Sequence, residues 1–248
     1  MLGSAQRVAV VTGSSQGIGL AIAQSFVNNG WRVAFVSLGL EQIRSSFLTE
    51  VELHQVLLYE MDVTETDKIG PCLDDIIGQW GQVDVLVNNA GIRTVTSNSD
   101  MKIEEWNRVL SVNLGSTFFF SQAVAPIMKK RGWGRIINMS SFAGQFGPVN
   151  SSAAYAASKA GQLALTKVFA RELAPYGITV NAISPASVRT PEMDTIAPAD
   201  MEKMVATIPL GRVGEAEEVA AMVMYLAADS TGFVTGATLD INGGRLMR

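Results

Sequence analysis

The chain carries one cysteine and one histidine in 248 residues, and only 17% of its residues are charged. A lone thiol, Cys72, allows no disulfide framework and no cysteine-based zinc site within the chain, so it reads as a small packed hydrophobe. With no second histidine, a histidine-paired metal centre is disfavoured, and so is a serine–histidine triad; His54, in V-E-L-H-Q, reads as a surface residue. A formal net charge of −4 lacks the basic footprint of a nucleic-acid binder. No apolar run approaches the roughly 18 residues of a membrane span, and the opening M-L-G-S-A-Q-R has no signal-peptide profile. The chain therefore reads as soluble and cytoplasmic, with neither nucleic acid nor membrane as partner.

What is present is alternation. Apolar, β-branched runs recur at intervals of about thirty residues between helical patterns, as stacked βαβ units require. Strands are predicted over Val8 to Thr12, Arg32 to Ser37, Gln55 to Asp62, Val83 to Asn88, Arg135 to Met139, Thr179 to Ile183 and Thr238 to Ile241. Helices are predicted over Ser15 to Asn29, Thr66 to Trp80, Ile103 to Arg131, Ala153 to Tyr176 and Ala216 to Ala227. The strands are apolar almost throughout, which points to a parallel sheet covered on both faces. The 48% hydrophobic content agrees with extensive burial. The reading is one α/β domain over residues 1–248, a doubly wound parallel seven-stranded sheet with helices on both faces.

Two motifs carry chemistry. In R-V-A-V-V-T-G-S-S-Q-G-I-G a strand enters a glycine turn and then a helix. Gly13 permits the tight turn, Gly17 lets backbone approach a pyrophosphate, and Gly19 allows close helix packing, with phosphate at the helix N-terminus. In Y-A-A-S-K, Tyr155 and Lys159 are one helical turn apart on one face. An ammonium beside a phenol favours the phenolate and is expected to lower the Tyr155 pKa toward neutrality, making it a proton donor and acceptor. The strand G-R-I-I-N-M-S-S ends in two serines just upstream.

These motifs, with N-N-A-G at Asn88 to Gly91, Asn113 in S-V-N-L, and P-A-S-V-R-T at Pro185 to Thr190, resemble in order the landmarks of the short-chain dehydrogenases/reductases, and closest the 3-oxoacyl-(acyl-carrier protein) reductase-like members. The resemblance runs from Arg7 to Gly244. It implies a Rossmann fold and a nicotinamide-dependent interconversion of ketone and secondary alcohol. Asn113, Ser141, Tyr155 and Lys159 are the implied catalytic group: Tyr155 as acid or base, Ser141 hydrogen-bonding the substrate oxygen, Lys159 tuning Tyr155 and holding ribose hydroxyls, Asn113 fixing a relay water. Ser141 rather than Ser140 matches the family's Ser-x-x-Gly in S-F-A-G, and strand alternation turns Ser140 to the other face as structural support. Ser141 and Tyr155 are fourteen residues apart, which suggests a lengthened loop between Gly144 and Ala153. The implied cofactor contacts are Gly13, Ser15, Gln16, Gly17, Ile18, Gly19, Ser37, Asp62, Val63, Asn89, Ala90, Gly91, Tyr155, Lys159, Pro185, Val188 and Thr190. Ala186 stands where the family usually has Gly. With Ser37 and Leu38, and no carboxylate, ending the second strand, NADP(H) is favoured over NAD(H); Arg44 is a further phosphate candidate.

Residues 189–212, rich in Pro, Met and charge, read as a substrate lid at the carboxyl end of a strand, with Gly211 and Gly214 marking a hinge. Lys129, Lys130 and Arg131 read as a solvated helix end. In acyl-carrier-dependent relatives such basic residues dock the carrier, but Tyr176 occupies the second docking position. A free small-molecule ketone or alcohol is the expected substrate, with 3-oxoacyl-(acyl-carrier protein) reduction as the alternative. A non-catalytic dinucleotide-binding regulator is the reading from another class. By resemblance, the two long helices are expected to form the seam of a homotetramer.

Overall fold

A computed structural model describes residues 6–41, 43, 54–147 and 151–247. Seven parallel strands form one sheet: β1 (Val8–Thr12), β2 (Arg32–Ser37), β3 (Val56–Glu60), β4 (Val85–Asn88), β5 (Gly134–Met139), β6 (Ile178–Pro185) and β7 (Thr238–Ile241). Their spatial order is β3-β2-β1-β4-β5-β6-β7. The chain thus winds outward from β1 in one direction, then reverses and builds the other half from β4. That reversal opens a crevice beyond the carboxyl ends of β1 and β4, the position where such sheets take ligands. β1 is central, paired with β2 through Val8↔Arg32 and with β4 through Ala9↔Val85.

Strand pleating explains the near-continuous apolar runs. Val8 and Val10 face one core with Ile69, Leu73 and Ile76 of α2 (Thr66–Trp80), while Ala9 and Val11 face the other with Ile22 and Phe26 of α1 (Gly17–Asn28). The first core also takes Phe120, Val124 and Met128 of α4 (Ser116–Arg131) and Phe169 and Leu173 of α6 (Ala153–Leu173). The second takes Val219, Val223 and Leu226 of α8 (Ala216–Ala227). Both faces are covered, as a parallel sheet requires. Cys72 is buried in the first core, where burial and the nearby Asp75 push its thiol up to about 12, and His54 is exposed.

The single helix expected over Ile103 to Arg131 is divided. α3 (Ile103–Leu110) passes into a π-helical turn, Ser111–Gly115, before α4 begins. Apolar periodicity continues through the turn, which is why the sequence pattern hides it. The turn leaves the Asn113 carbonyl to side chains, with Thr117 Oγ1 donating at 2.8 Å and Gln162 Nε2 at 3.0 Å. Other boundaries differ by a few residues: α6 closes through a 3-10 turn, Ala174–Tyr176, and β6 runs on to Pro185. The expected lengthening between Gly144 and Ala153 falls partly at residues 148–150, outside the described residues, as does Arg44; the described part carries a short helix, α5 (Ala143–Phe146).

Two glycines are sterically required where β1 meets α1. Gly13 has φ +63°, and a Cβ on it would sit 2.7 Å from the Ala90 Cα. A Cβ on Gly19 would land on the Gly13 carbonyl oxygen and the Asn89 side-chain amide. Gly19→Ala is therefore expected to destabilise the protein by about 3 kcal/mol through overpacking against backbone, read as a fall of several degrees in the thermal unfolding midpoint. An unchanged midpoint contradicts this packing.

Candidate active site

The crevice at the sheet's reversal is a cleft of about 420 Å³. It is lined by Gly13, Ser15, Gln16, Gly17, Ile18, Gly19, Ser37, Asp62, Val63, Asn89, Ala90, Gly91 and Thr190, all named from the sequence as dinucleotide contacts. Tyr155, Lys159, Pro185 and Val188, named with them, are not in this lining. Pro185 ends β6, its carbonyl accepting from Phe142 N, and Val188 packs its side chain into the second core, so any contact it makes with a ligand falls to its backbone.

Asn89 holds the glycine turn in shape, its Nδ2 donating to the Thr12 carbonyl at 3.0 Å and the Gly13 carbonyl at 2.9 Å. The Thr12 hydroxyl, overlooked in sequence, accepts from the backbone N–H of both Asn89 and Ala90 at 3.0 Å. These four bonds lock the carboxyl ends of β1 and β4 together beside the bare glycine backbone. At the end of β2, Ser37 Oγ donates to Ser15 Oγ at 3.0 Å. The following turn is held by Glu60, which accepts from Leu40 N and Gly39 N, and those two bonds hold its carboxyl below the usual range. Asp62 accepts from Thr64 and from Arg108 Nη2 at 2.9 Å. Arg108 also lines the cleft, reaching it from α3; only the tertiary fold places it there.

The glycine cradle, in which backbone occupies the Cβ positions of Gly13 and Gly19, and the paired hydroxyls of Ser15 and Ser37 fit the pyrophosphate and ribose of a dinucleotide.

The four proton-transfer candidates lie next to this cleft, behind Gly91 and not among its lining residues. Gly91 marks the junction: a Cβ there would lie 3.4 Å from Asn113 Oδ1 and 3.5 Å from Lys159 Nζ. Ser152 caps α6, accepting from Tyr155 N at 3.2 Å, so the cap fixes the first turn on which Tyr155 sits. Ser141 is near enough to the Tyr155 phenol to favour its ionised form, and its Oγ accepts from Ala143 N at 3.1 Å. Ser140 points the other way, donating to the Lys159 carbonyl at 2.8 Å, the supporting role expected for it. Asn113 grips the chain after the N-N-A-G motif, accepting from Ile92 N at 2.8 Å and donating to Ile92 O at 3.0 Å, with Ser158 Oγ as a second acceptor at 3.0 Å.

One expectation is reversed. The Tyr155 pKa is raised: protein packed around the half-buried phenol makes the phenolate costly, and Ser141 and the Arg93 charge work against this only in part. The Lys159 ammonium, 5.8 Å from the Tyr155 ring centroid, is turned inward, donating to Met139 O at 2.7 Å and Gln162 Oε1 at 3.0 Å. Burial away from water brings Lys159 down to about 7.

Gln162 was not singled out from sequence. It is fully buried one turn beyond Lys159, accepts from that ammonium, and donates to Asn113 O at 3.0 Å and Thr117 Oγ1 at 2.7 Å. It joins Lys159 to the π-helical turn in one neutral network. The available signal was its spacing, since Lys159 and Gln162 are i and i+3 on a face whose other members, Ser158 and Thr166, are also polar and buried.

Fold and cleft together define a dinucleotide-binding α/β protein whose candidate acid–base groups meet at the carboxyl edge of the sheet. A family model described as enoyl-(acyl carrier protein) reductase matches residues 13–245. Similar proteins include a 3-oxoacyl-(acyl-carrier protein) reductase of Thermotoga maritima, 38% identical over 240 residues covering 96% of this chain and 97% of that protein. An acetoacetyl-CoA reductase of Rhizobium meliloti is 41% identical over 247 residues, covering 96% and 98%. A 3-oxoacyl-(acyl-carrier protein) reductase of Salmonella typhimurium is 39% identical over 244 residues, covering 97% and 98%. The chain belongs to the short-chain dehydrogenase/reductase family of oxidoreductases.

The Lys159 pKa has a testable sign. Its folded value, about 7, lies below the ordinary value of 10.5. Between those limits the unfolded chain holds a proton that the folded chain has released, so this group's penalty is full below pH 7 and is relieved as pH rises toward 10. Lys159→Met removes the titrating group. The unfolding free energy of the unliganded wild type, minus that of the variant, is expected to rise by roughly 2 kcal/mol from pH 7 to pH 9 in urea titrations. A constant difference contradicts the buried-ammonium reading.

Proposed function

We propose that this protein is an NADP(H)-dependent carbonyl reductase acting on a free small-molecule ketone, and in reverse on the secondary alcohol, with Tyr155 as the acid–base group. The convergence of Ser141, Tyr155, Lys159 and Asn113 beside the glycine cradle carries the reading. Gly13, Gly17 and Gly19 would hold the pyrophosphate, Asp62 and Val63 the adenine side, and Asn89 to Gly91 the centre of the cleft, with Pro185, Val188 and Thr190 toward the carboxamide end. A bound nicotinamide dinucleotide supplies the hydride. Tyr155 gives its proton to the substrate carbonyl oxygen as negative charge develops there, and Ser141 donates a hydrogen bond to the same oxygen. Lys159, ionised through part of the neutral range, stabilises the phenolate left behind and meets ribose hydroxyls, while Gln162 and Asn113 set its position. In alcohol oxidation Tyr155 accepts the proton.

The preference for NADP(H) rests on the hydroxyls of Ser37 and Ser15 where an NAD enzyme carries a carboxylate. Residues 189–212 act as the lid. Their two short helices, Pro191–Thr195 and α7 (Pro198–Ala206), bury none of their residues, and the segment is tied at its base by Arg189 N to Gly214 O and Gly214 N to Ser187 O. Such weakly anchored segments open at low free-energy cost. Exposed Phe118 and Phe119 on α4 and Val168 on α6 support self-association along these helices as a homotetramer.

A second reading, reduction of a 3-oxoacyl thioester, is favoured by the printed activities of the relatives. The docking surface speaks for the free ketone: Arg131 bonds Gln82 and lies 3.4 Å from buried Asp84, and Lys129 pairs with Glu172 beside Tyr176.

Tyr155→Phe is expected to lower kcat/KM for ketone reduction by about a thousandfold, with the NADPH dissociation constant, followed by fluorescence, changed less than about threefold. Retained turnover removes Tyr155 from the acid–base role. Ser37→Asp places a carboxylate against a 2′-phosphate and should weaken NADPH binding at least tenfold relative to NADH; an unchanged ratio contradicts the cofactor assignment.

A further inference from the structure

The cleft follows the carboxyl edge of the sheet in strand order. It runs from Asp62 and Val63 after β3, and Ser37 and Leu38 at the end of β2, past the glycine turn after β1 to Asn89, Ala90 and Gly91 after β4. The acid–base candidates lie behind Gly91. A dinucleotide with its pyrophosphate on the glycine turn therefore puts its nicotinamide at the β4 end and its second nucleoside at the β2 and β3 end. Leu38, Met61, Val63 and Val112 line that second end and suit the faces of a flat base. Apolar walls hold any base; its identity is read along its edge by donors and acceptors.

Two charged side chains stand at this end, Asp62 and Arg108, and Arg108 is the one cation among the cleft's lining residues. Arg108 Nη2 donates to Asp62 Oδ2 at 2.9 Å and Nη1 donates to Thr64 Oγ1 at 3.1 Å, so the guanidinium is fixed at two points. Its Nε and the second hydrogens on both Nη atoms have no acceptor among the described residues. Asp62 Oδ1 accepts from Thr64 N at 2.9 Å and Thr64 Oγ1 at 2.8 Å, which leaves Oδ2, beside Arg108, as the oxygen with room for another donor. Against the cost of partial burial, the bonds from Thr64 and Arg108 keep the Asp62 carboxyl below its usual range, so it is an acceptor only. The side chains are 49% and 26% exposed, and an ion pair this open contributes little to stability. What the pair does provide is an acceptor and a donor side by side in the cleft.

We infer that Arg108 is a cofactor-binding residue that reads the base of the second nucleoside together with Asp62. Asp62 accepts from the 6-amino group of adenine, and Arg108 donates to a ring nitrogen beside that group while holding the carboxylate in place. Adenine presents this donor and acceptor next to each other along one edge. A base with a 6-oxo group, such as hypoxanthine, turns an acceptor toward the carboxylate and leaves Asp62 Oδ2 without its donor, which costs binding energy. The planar guanidinium suits the task because its donors lie in one plane, as the edge of a base does. The inference rests on the dinucleotide reading above and deepens it, since Asp62 alone was expected at the adenine.

The test measures dissociation constants of the whole protein, by nicotinamide fluorescence, for NADPH and for its 6-oxo analogue, reduced nicotinamide hypoxanthine dinucleotide phosphate. The wild type is expected to bind NADPH about tenfold more tightly than the analogue, within the range of a paired contact to a base edge. Arg108→Met should bring that ratio below about threefold, chiefly by weakening NADPH, and Arg108→Lys should restore part of it. General damage to the fold weakens both ligands alike and leaves the ratio where it was. Equal binding of the two dinucleotides by the wild type, or a ratio that survives Arg108→Met, overturns the inference and leaves the dinucleotide reading standing. Absence of binding for both dinucleotides, and for NADH, overturns that reading and the inference with it.

Discussion

The arrangement of the inner site depends on an ammonium withdrawn from water and met by neutral acceptors. Lys159 is buried on α6, with a peptide carbonyl on β5 and an amide on its own helix as hydrogen-bond partners. Desolvation brings it down to about 7. A carboxylate at the same place would fix the charge and tie it to one geometry. Neutral dipoles leave a group that gains or loses a proton near physiological pH and can redirect its hydrogen bonds. The π-helical turn at Ser111–Gly115 joins the same network, its Asn113 carbonyl accepting from Gln162, whose other end holds the ammonium.

The polar network continues through the core. Thr166 Oγ1 accepts from Asn138 Nδ2 at 2.9 Å, Asn138 Oδ1 accepts from Asn88 Nδ2 at 2.8 Å, and that same amide donates to Ser121 Oγ at 3.0 Å. β4, β5, α4 and α6 are thereby joined by directional bonds as well as by packing. Buried polar groups are costly when unpaired and specific when paired, so this seam sets the relative rotation of the two helices that carry Asn113's neighbours and Tyr155. The outer half of the cleft uses backbone instead. Gly13 and Gly19 leave no room for side chains, and Asn89 and Thr12 supply the bonds that hold the bare turn open. Beside this bonded platform, the two short helices after β6 bury none of their residues.

Much of this was legible in the sequence because it is local. Glycine spacing after a β-branched run encodes a turn whose neighbours have no alternative, and seven apolar segments at regular separation encode a parallel sheet. Tyr155 and Lys159 fall on one face because helical geometry is the same in every protein. The orientation of Ser140 and Ser141 followed from strand alternation and holds here. Each inference needs only a few adjacent residues and the stereochemistry of the backbone.

Other properties depend on segments far apart in the chain, and the sequence could not assign them. The proximity of Tyr155 and Lys159 suggested a depressed phenol pKa, yet the Tyr155 pKa is set by burial, by Ser141, by Arg93 from the β4 loop and by Glu192 from the segment after β6. The direction of the Lys159 side chain is decided by Met139 and Gln162, and Arg108 enters the cleft only because the fold brings α3 to Asp62 and Thr64, just after β3. Sequence by itself determined the fold, the order of the elements and which turn and helix carry the candidate site residues, since periodicity and spacing are short-range. The tertiary structure decided the protonation energetics and the charges that meet at the substrate, because electrostatic energy depends on distances and solvent exclusion that exist only once the chain has closed on itself.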